Sequence, residues 1–329
     1  MLEPEGKIAE LLAAAAAGGS VSVTGLRKYA RWAVFCMSEK AVLVENDYIR
    51  AKEACDFCSS FCDVVFLPAR SDSVGFSLER FGRLDFDRAE AIAAIARGCR
   101  KVVTYVEAAM QLYPDRRRVA ERVVTVGVGD SCDPQSLSAK LSAAGYRRVE
   151  QLGGKGEYAV RGDIVDVAPA GSEEYYRIVL DFDAIESIKL LDPEEQITIK
   201  KTDSVTVAPF GEAYYTPEEC DEAMAEIRAE AAKLPPDAAA HFGGLLGELE
   251  LRTSARRLDI PMLMPYLPSG APFAAFAEGY EAFIGDAKLC YDTAGLVLKE
   301  HLNRIKILVE SGDALPSGVR QIAKIEDAF

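Results

Sequence analysis

The feature that most constrains this chain is a change of rhythm near residue 119. Before it, continuous apolar runs alternate with helical stretches. KAVLVEN (40–46), DVVFLP (63–68) and KVVTY (101–105) read as strands, with helices over about 47–61 and 89–98 between them. A strand that is apolar at every position has both faces buried. In alternation with helices it implies a parallel sheet covered on both sides. An Ala-rich helix over 1–18 ending at Gly18-Gly19, a short strand SVSVTG (20–25) and a helix over 26–38 precede this pattern. VEAAMQLYP follows it as a short helix broken at Pro114.

After residue 119 the elements are different. RVVTVGVGD (122–130) reads as a strand, and Asp133-Pro134 opens a helix that stops at Gly145. From Tyr146 to Pro209 the segments are mostly β, joined by short turns, which describes an α+β module inserted after the α/β part. A third pattern starts at Phe210, with a charged amphipathic helix over 218–234 ended by Pro235-Pro236. Leu- and Pro-rich pieces follow, then a buried strand AKLCYD (287–292) and a helix over 293–312 closed by Gly312. The last residues give no clear domain close, so the chain reads as a piece of something longer. The expected division is 1–118, 119–210 and 211–329.

A length of 329 residues suits two or three domains. Lys plus Arg number 38 against 52 Asp plus Glu, a net charge of −14, whereas duplex binding rests on clustered basic excess. The one dense basic run, Arg116 to Arg118, reads as a solvated helix end. Eight cysteines with no secretory leader, and no apolar run near the ~20 residues of a membrane span, read as a cytoplasmic protein with free thiols. The spacing of Cys55, Cys58 and Cys62 offers three thiolates to a metal, but it also defines one face of a helix. Core packing is the better reading, because His241 and His301 are remote and no fourth ligand is near.

Catalytic chemistry finds no foothold. Aligning Lys28 with the lysine of a phosphate-binding loop puts Ser22 and Arg27 where glycines belong, and Tyr29 where a Mg²⁺-ligating Ser or Thr belongs. The stretch reads as an ordinary strand–turn–helix. There is no nucleophile elbow and no HExxH. Asp181 and Asp183 form a carboxylate pair on an exposed strand face. No cofactor, metal or enzymatic activity is expected.

What remains is the β-rich run from Gly156 to Pro209, with Arg161 and Arg177 in successive apolar segments. In YYRIVLDF, alternation places Tyr176, Ile178, Leu180 and Phe182 on one face and Arg177, Val179 and Asp181 on the other. The first set makes the better core, which exposes Arg177. Arginine suits protein interfaces because its planar fork pairs with carboxylates in two places at once. The competing reading for both arginines is a salt bridge within the domain, to Asp163, Asp166 or Glu157.

The series GEYAVRGDIVDVAP, YRIVLDFDAIESIKLLDPEEQ and DSVTVAP resembles, in order and spacing, the UvrB-homology region of bacterial transcription-repair coupling factor. KVVTYVEAAMQLYP before it and PMLMPYLP after it extend the resemblance over the chain. The similarity to UvrB itself is weaker, since UvrB keeps an intact P-loop and a DNA-clasping aromatic hairpin. The resemblance implies a degenerate P-loop, helicase-like parallel-sheet domain built from both chain ends, with an inserted α+β module that recruits UvrA. It implies a monomeric, non-catalytic adaptor in nucleotide-excision repair. The family's RNA polymerase-binding domain and ATP-driven DNA translocase do not fit in these residues. The family also suggests that a C-terminal domain covers the UvrA surface. By motif position the UvrA-contacting arginines fall on Arg161 and Arg177. The family's contact aromatic falls on Asp181, with Phe182 beside it. The alternative is an NTP-dependent, UvrB-like DNA-binding helicase domain.

Overall fold

The computed structural model describes residues 6–18, 21–70, 83–254 and 260–328. The first part contains helices α1 (Lys7–Ala16) and α2 (Lys28–Met37), strand β1 (Ala41–Glu45), helix α3 (Tyr48–Cys58), strand β2 (Val65–Phe66), helix α4 (Arg83–Ala96) and strand β3 (Lys101–Tyr105). Helix α5 (Val106–Ala109), strand β4 (Leu112–Tyr113) and helix α6 (Arg116–Ala120) complete it. A middle part follows with β5 (Val124–Gly127), α7 (Pro134–Ala143), β6 (Arg147–Arg148), β7 (Glu157–Arg161), β8 (Ile164–Ala168), β9 (Tyr175–Asp181), β10 (Ala184–Leu191), β11 (Thr198–Thr202) and β12 (Ser204–Val207). The last part contains α8 (Pro217–Ala231), α9 (Pro236–Ser254), β13 (Ala271–Pro272), α10 (Phe273–Phe276), β14 (Glu281–Ile284), α11 (Ala287–Ser311) and α12 (Ile325–Ala328).

The apolar runs form a four-stranded parallel sheet in the order β14-β1-β3-β2. Every residue of β1 and β3 is buried. Val42, Val44 and Val102 pack against Ile92 and Ile95 of α4 and Ala294 of α11. Leu43, Val103 and Tyr105 pack on the other side against Trp32 and Phe35 of α2 and Ala51 and Ala54 of α3. The sheet is therefore covered on both faces, and its edge strand β14 arrives from far along the chain.

Two sequence expectations fail here. The strand expected over 20–25 does not form: its described residues are irregular, and Val21 and Val23 are exposed. Two valines alternating with Ser and Thr bury nothing unless a neighbouring strand takes up their backbone groups. Residues 287–292 are helix rather than strand, because the Asp286 carboxylate accepts the Leu289 amide at 3.0 Å and starts α11. The sheet uses EAFI (281–284) instead. Gly312 closes α11 in the left-handed conformation, as its sequence position implies.

The middle part is a six-stranded sheet in the order β11-β10-β9-β8-β7-β6, backed by α7. Asp133 caps α7 by accepting the amides of Gln135 and Ser136 at 2.9 Å. Leu137 and Leu141 then bury against Val165, Val167, Ile178 and Ile188. At the base of this sheet the ring of Phe210 lies on Gly156, where φ is +79° and an added Cβ would sit 3.0 Å from the ring. Only glycine meets both conditions.

A buried ion cluster joins the end of this part to α4. Arg88 donates from Nε to Glu212 Oε1 at 2.7 Å and from Nη2 to Oε2 at 3.1 Å. Its Nη1 reaches the Pro68 carbonyl and the Tyr113 hydroxyl, both at 2.9 Å. Arg70 Nη2 reaches Glu212 Oε2 at 3.3 Å and the Leu112 carbonyl at 3.3 Å. Burial alone raises the Glu212 pKa, but Arg88 and Arg70 outweigh it and hold the carboxyl below its usual range.

Candidate protein-interaction site

Arg161 ends β7 and Arg177 lies in β9, with β8 between them. Residues directly opposite on paired strands share a face. The register places Ala159, Asp166, Arg177, Lys189 and Lys201 in one row across β7 to β11. The next row holds Arg161, Ile164, Val179 and Ser187. The opposite face, with Val165, Ile178 and Ile188, is the one packed on α7. One end of the first face is covered by the loop bearing Val149 and Leu152, over Ala159, Tyr175 and Leu191. Among the described residues the remainder is half-exposed at Ile164, Arg177, Val179, Ser187 and Lys189 and exposed at Arg161 and Lys201.

One carboxylate organises this open face. Asp166 is 2% exposed, and its Oδ1 and Oδ2 accept Arg177 Nε at 2.8 Å and Arg177 Nη2 at 2.9 Å. Arg161 Nη2 also donates to Oδ2. Of the three carboxylates considered from sequence, Asp166 binds both arginines. Glu157 instead pairs with Arg147 and accepts the amides of Gly153 and Gly154. The internal ion pair is thus present, and it does not use up the cations. Arg161 and Arg177 keep 51% and 25% of their side-chain surface exposed, with N–H donors to spare. Bonding to Asp166 raises the Arg177 pKa, so its charge is permanent.

Asp181 is exposed at the end of β9, on the Arg177 face as alternation requires. Phe182 departs from that alternation. It does not join Ile178 and Leu180 in the core but stands 87% exposed in the two-residue turn between β9 and β10. Its φ is +52°, in the left-handed region that a bulky side chain rarely occupies. The turn is braced from below: Cys132 N bonds Asp183 O at 2.8 Å, Ile185 N bonds Asp130 O at 3.0 Å, and Gly129 N bonds Ile185 O at 2.8 Å. A braced hairpin tip therefore presents an aromatic ring to solvent.

Lys189 and Lys201 belong to the same face and were not singled out from sequence. Strand parity counted from Arg177 through the β9–β10 turn puts Ile188 opposite it; the bulge between Ile185 and Ser187 shifts that count by one and brings Lys189 there instead. Arg116, Arg117 and Arg118 stand apart at helix α6, where Arg118 is paired with Glu219 at 2.6 Å. Lys28, the residue tested as a phosphate-binding lysine, starts α2, bonds Glu53 at 2.5 Å and lies 5.0 Å from the Trp32 ring.

The family model of the UvrB interaction domain matches residues 124–212, the β5-to-β12 part and its short exit. The chain carries a UvrB-homology region. Transcription-repair-coupling factor of Bacillus subtilis is 30% identical over 126 residues, covering 38% of this chain and 11% of that protein. The Escherichia coli factor is 36% identical over 84 residues, covering 26% and 7%. UvrABC system protein B of Thermotoga maritima is 31% identical over 107 residues, covering 32% and 16%. The UvrB-homology region is thus comparably similar to both kinds of protein, and the matches span a small part of each relative's length.

Proposed function

We propose that this chain is a non-catalytic adaptor that recruits UvrA in nucleotide-excision repair, through the open face of its UvrB interaction domain. The observation that carries the reading is the collection of cations on that face. Arg161, Arg177, Lys189 and Lys201 share it around one buried carboxylate, in a chain of net charge −14. Like charges placed opposite one another across strands repel, so their row is stabilised by an acidic partner. The apolar centre of the contact comes from Val179, Ile164 and the Phe182 ring at the tip. In this reading Phe182, rather than Asp181, supplies the family's aromatic contact, and the turn does what a strand position does elsewhere.

The same reading takes 1–118 and 211–329 as one α/β body of helicase ancestry, whose role is to hold the 119–210 module. It places recruitment at stalled transcription complexes, where further parts of a longer protein would engage RNA polymerase and DNA. The test is calorimetric titration of UvrA with wild-type, Arg161→Ala and Arg177→Ala proteins. Each substitution is expected to weaken binding by about 1–3 kcal/mol, the usual range for an interfacial charge. Unchanged affinity in both variants refutes the site.

A further inference from the structure

The amino ends of three neighbouring strands, β14, β1 and β3, gather cations from remote parts of the chain. Lys40 precedes β1, Arg97 and Arg100 lie in the turn that enters β3, and Arg116 and Arg117 open α6. Parallel pairing sets the strand entries side by side, with Ala41 level with both Glu281 and Lys101. Ala41 N bonds Arg100 O at 2.9 Å, and Glu281 N bonds Lys40 O at 3.0 Å. Tyr280 ties the side chains together. Its hydroxyl donates to the Cys99 carbonyl at 2.6 Å. The Lys40 ammonium lies 4.4 Å from its ring centre and the Arg116 guanidinium 5.6 Å. Arg116 Nη1 donates to the Glu278 carbonyl at 3.1 Å, and a Cβ added at Gly98 would sit 3.9 Å from Arg116 Nη2. Four stretches of chain thus meet at one tyrosine.

The charge gathered there is not neutralised. Among the described residues none of Lys40, Arg97, Arg100, Arg116 and Arg117 forms an ion pair, whereas Arg118 in the same run is paired with Glu219. Arg97, Arg100 and Arg117 are exposed, and Lys40 and Arg116 are half-buried. A ring contact and a carbonyl hold Lys40 and Arg116 in place without cancelling their charge. The Asp115 carboxylate is engaged by the amides of Arg117 and Arg118. Glu39 and Glu278, next to Lys40 and near Tyr280 in sequence, are exposed. In a chain with 52 acidic and 38 basic residues, a basic patch left unpaired is a surface complementary to something acidic.

We propose that this patch docks an acidic segment of a protein partner. The planar fork of each exposed arginine accepts a carboxylate through two N–H groups. Three features favour a polypeptide over a nucleic acid. The Tyr280 ring already carries two cations, so it offers no platform for stacking a base. The exposed Glu39 and Glu278 oppose a strand of closely spaced phosphates. The net charge of −14 opposes the approach of a long polyanion. A short acidic helix or loop meets the arginines one at a time and leaves Glu39 and Glu278 in water. No residue of the patch belongs to the UvrB interaction domain at 124–212, so this docking is independent of the face proposed for UvrA.

The test is fluorescence anisotropy at low salt with two probes: a labelled peptide of alternating glutamate and alanine, and a labelled random-sequence DNA duplex of the same net charge. The wild-type chain is expected to bind the peptide more tightly than the duplex. Arg97→Glu/Arg100→Glu/Arg117→Glu, at three exposed positions, should weaken peptide binding about tenfold or more while leaving the urea midpoint unchanged. The same three residues changed to glutamine should weaken it less, and this variant carries the comparison where charge reversal disturbs folding. Arg161→Ala/Arg177→Ala should bind the peptide as the wild type does, which separates this patch from the UvrA face. Absence of peptide binding, equal affinity in the wild type and the folded triple variants, loss in Arg161→Ala/Arg177→Ala instead, or tighter binding of the duplex would each overturn the proposal.

Discussion

Replacing Glu212 by glutamine tests the logic of the buried ion cluster more sharply than any surface change. The carboxylate takes three N–H donors from two guanidiniums, at 2.7, 3.1 and 3.3 Å. Arg88 is fully buried and Arg70 nearly so, so neither can turn to water when the charge is lost. At about 4 Å and an effective dielectric near 20, one unit pair is worth about 4 kcal/mol. Losing it regains part of the carboxylate's own desolvation cost but leaves two cations facing each other. Breaking a buried pair on one side costs about 3–5 kcal/mol, and that is the loss expected here. Urea unfolding followed through Trp32, comparing midpoints at unchanged slope, measures it. Arg88→Met with Glu212→Gln should cost less than the two single changes together, because the double variant buries one charge fewer. The pH dependence has a definite sign. The Glu212 pKa is depressed in the fold, so its contribution is present above the unfolded carboxylate's value of about 4.3 and is lost as pH falls through the folded value. Glu212→Gln should flatten that acid limb. A loss below about 1 kcal/mol, or an acid limb that does not change, would refute the reasoning.

Phe182→Gly should separate stability from binding. It relieves a left-handed φ and leaves the domain as stable or more so by up to about 1 kcal/mol, while UvrA affinity falls in the same calorimetric titration. Asp133→Ala removes the α7 cap and should lower the urea midpoint at unchanged slope. Thermal-shift titration with MgATP should give no saturable stabilisation, because Lys28 is engaged by Glu53 and the turn before it lacks the phosphate-cradling glycines; a clear saturable rise would favour a nucleotide-binding domain instead.

Sequence alone revealed what depends on neighbouring residues and missed what depends on distant ones. The runs at 41–45 and 101–105 were legible because a strand buried on both faces must be apolar throughout. EAFI at 281–284 was not, being short and half-exposed, while the Tyr and Cys of 287–292 mimicked a strand in what is the first turn of α11. At the site, alternation put Arg177 and Asp181 on one face, as found, although Arg177 is only a quarter exposed there. It failed at Phe182 because the strand ends one residue earlier, and a tight turn obeys no period of two. The choice between an internal ion pair and a partner contact rested on exclusive alternatives. Asp166 takes one edge of each guanidinium and leaves the rest free, so both can hold. The spacing of Cys55, Cys58 and Cys62 was visible, and core packing, the better reading of it, holds: Cys55 and Cys58 lie in the layer between α2, α3 and the sheet, with Cys62 packed against it.

The placement of β14 against β1 has a consequence for how the chain matures on the ribosome. β1 is complete at residue 45, but its parallel neighbour is not made until residue 284. The UvrB interaction domain, finished by residue 212, is synthesised in between and relies on local strand pairings. It can fold while β1 still has a bare edge. At 5–20 residues per second that edge stays open for roughly ten seconds or more. The nascent sheet is exposed to unwanted strand pairing for that interval, so the emerging chain's need for chaperone cover is greatest between these two strands.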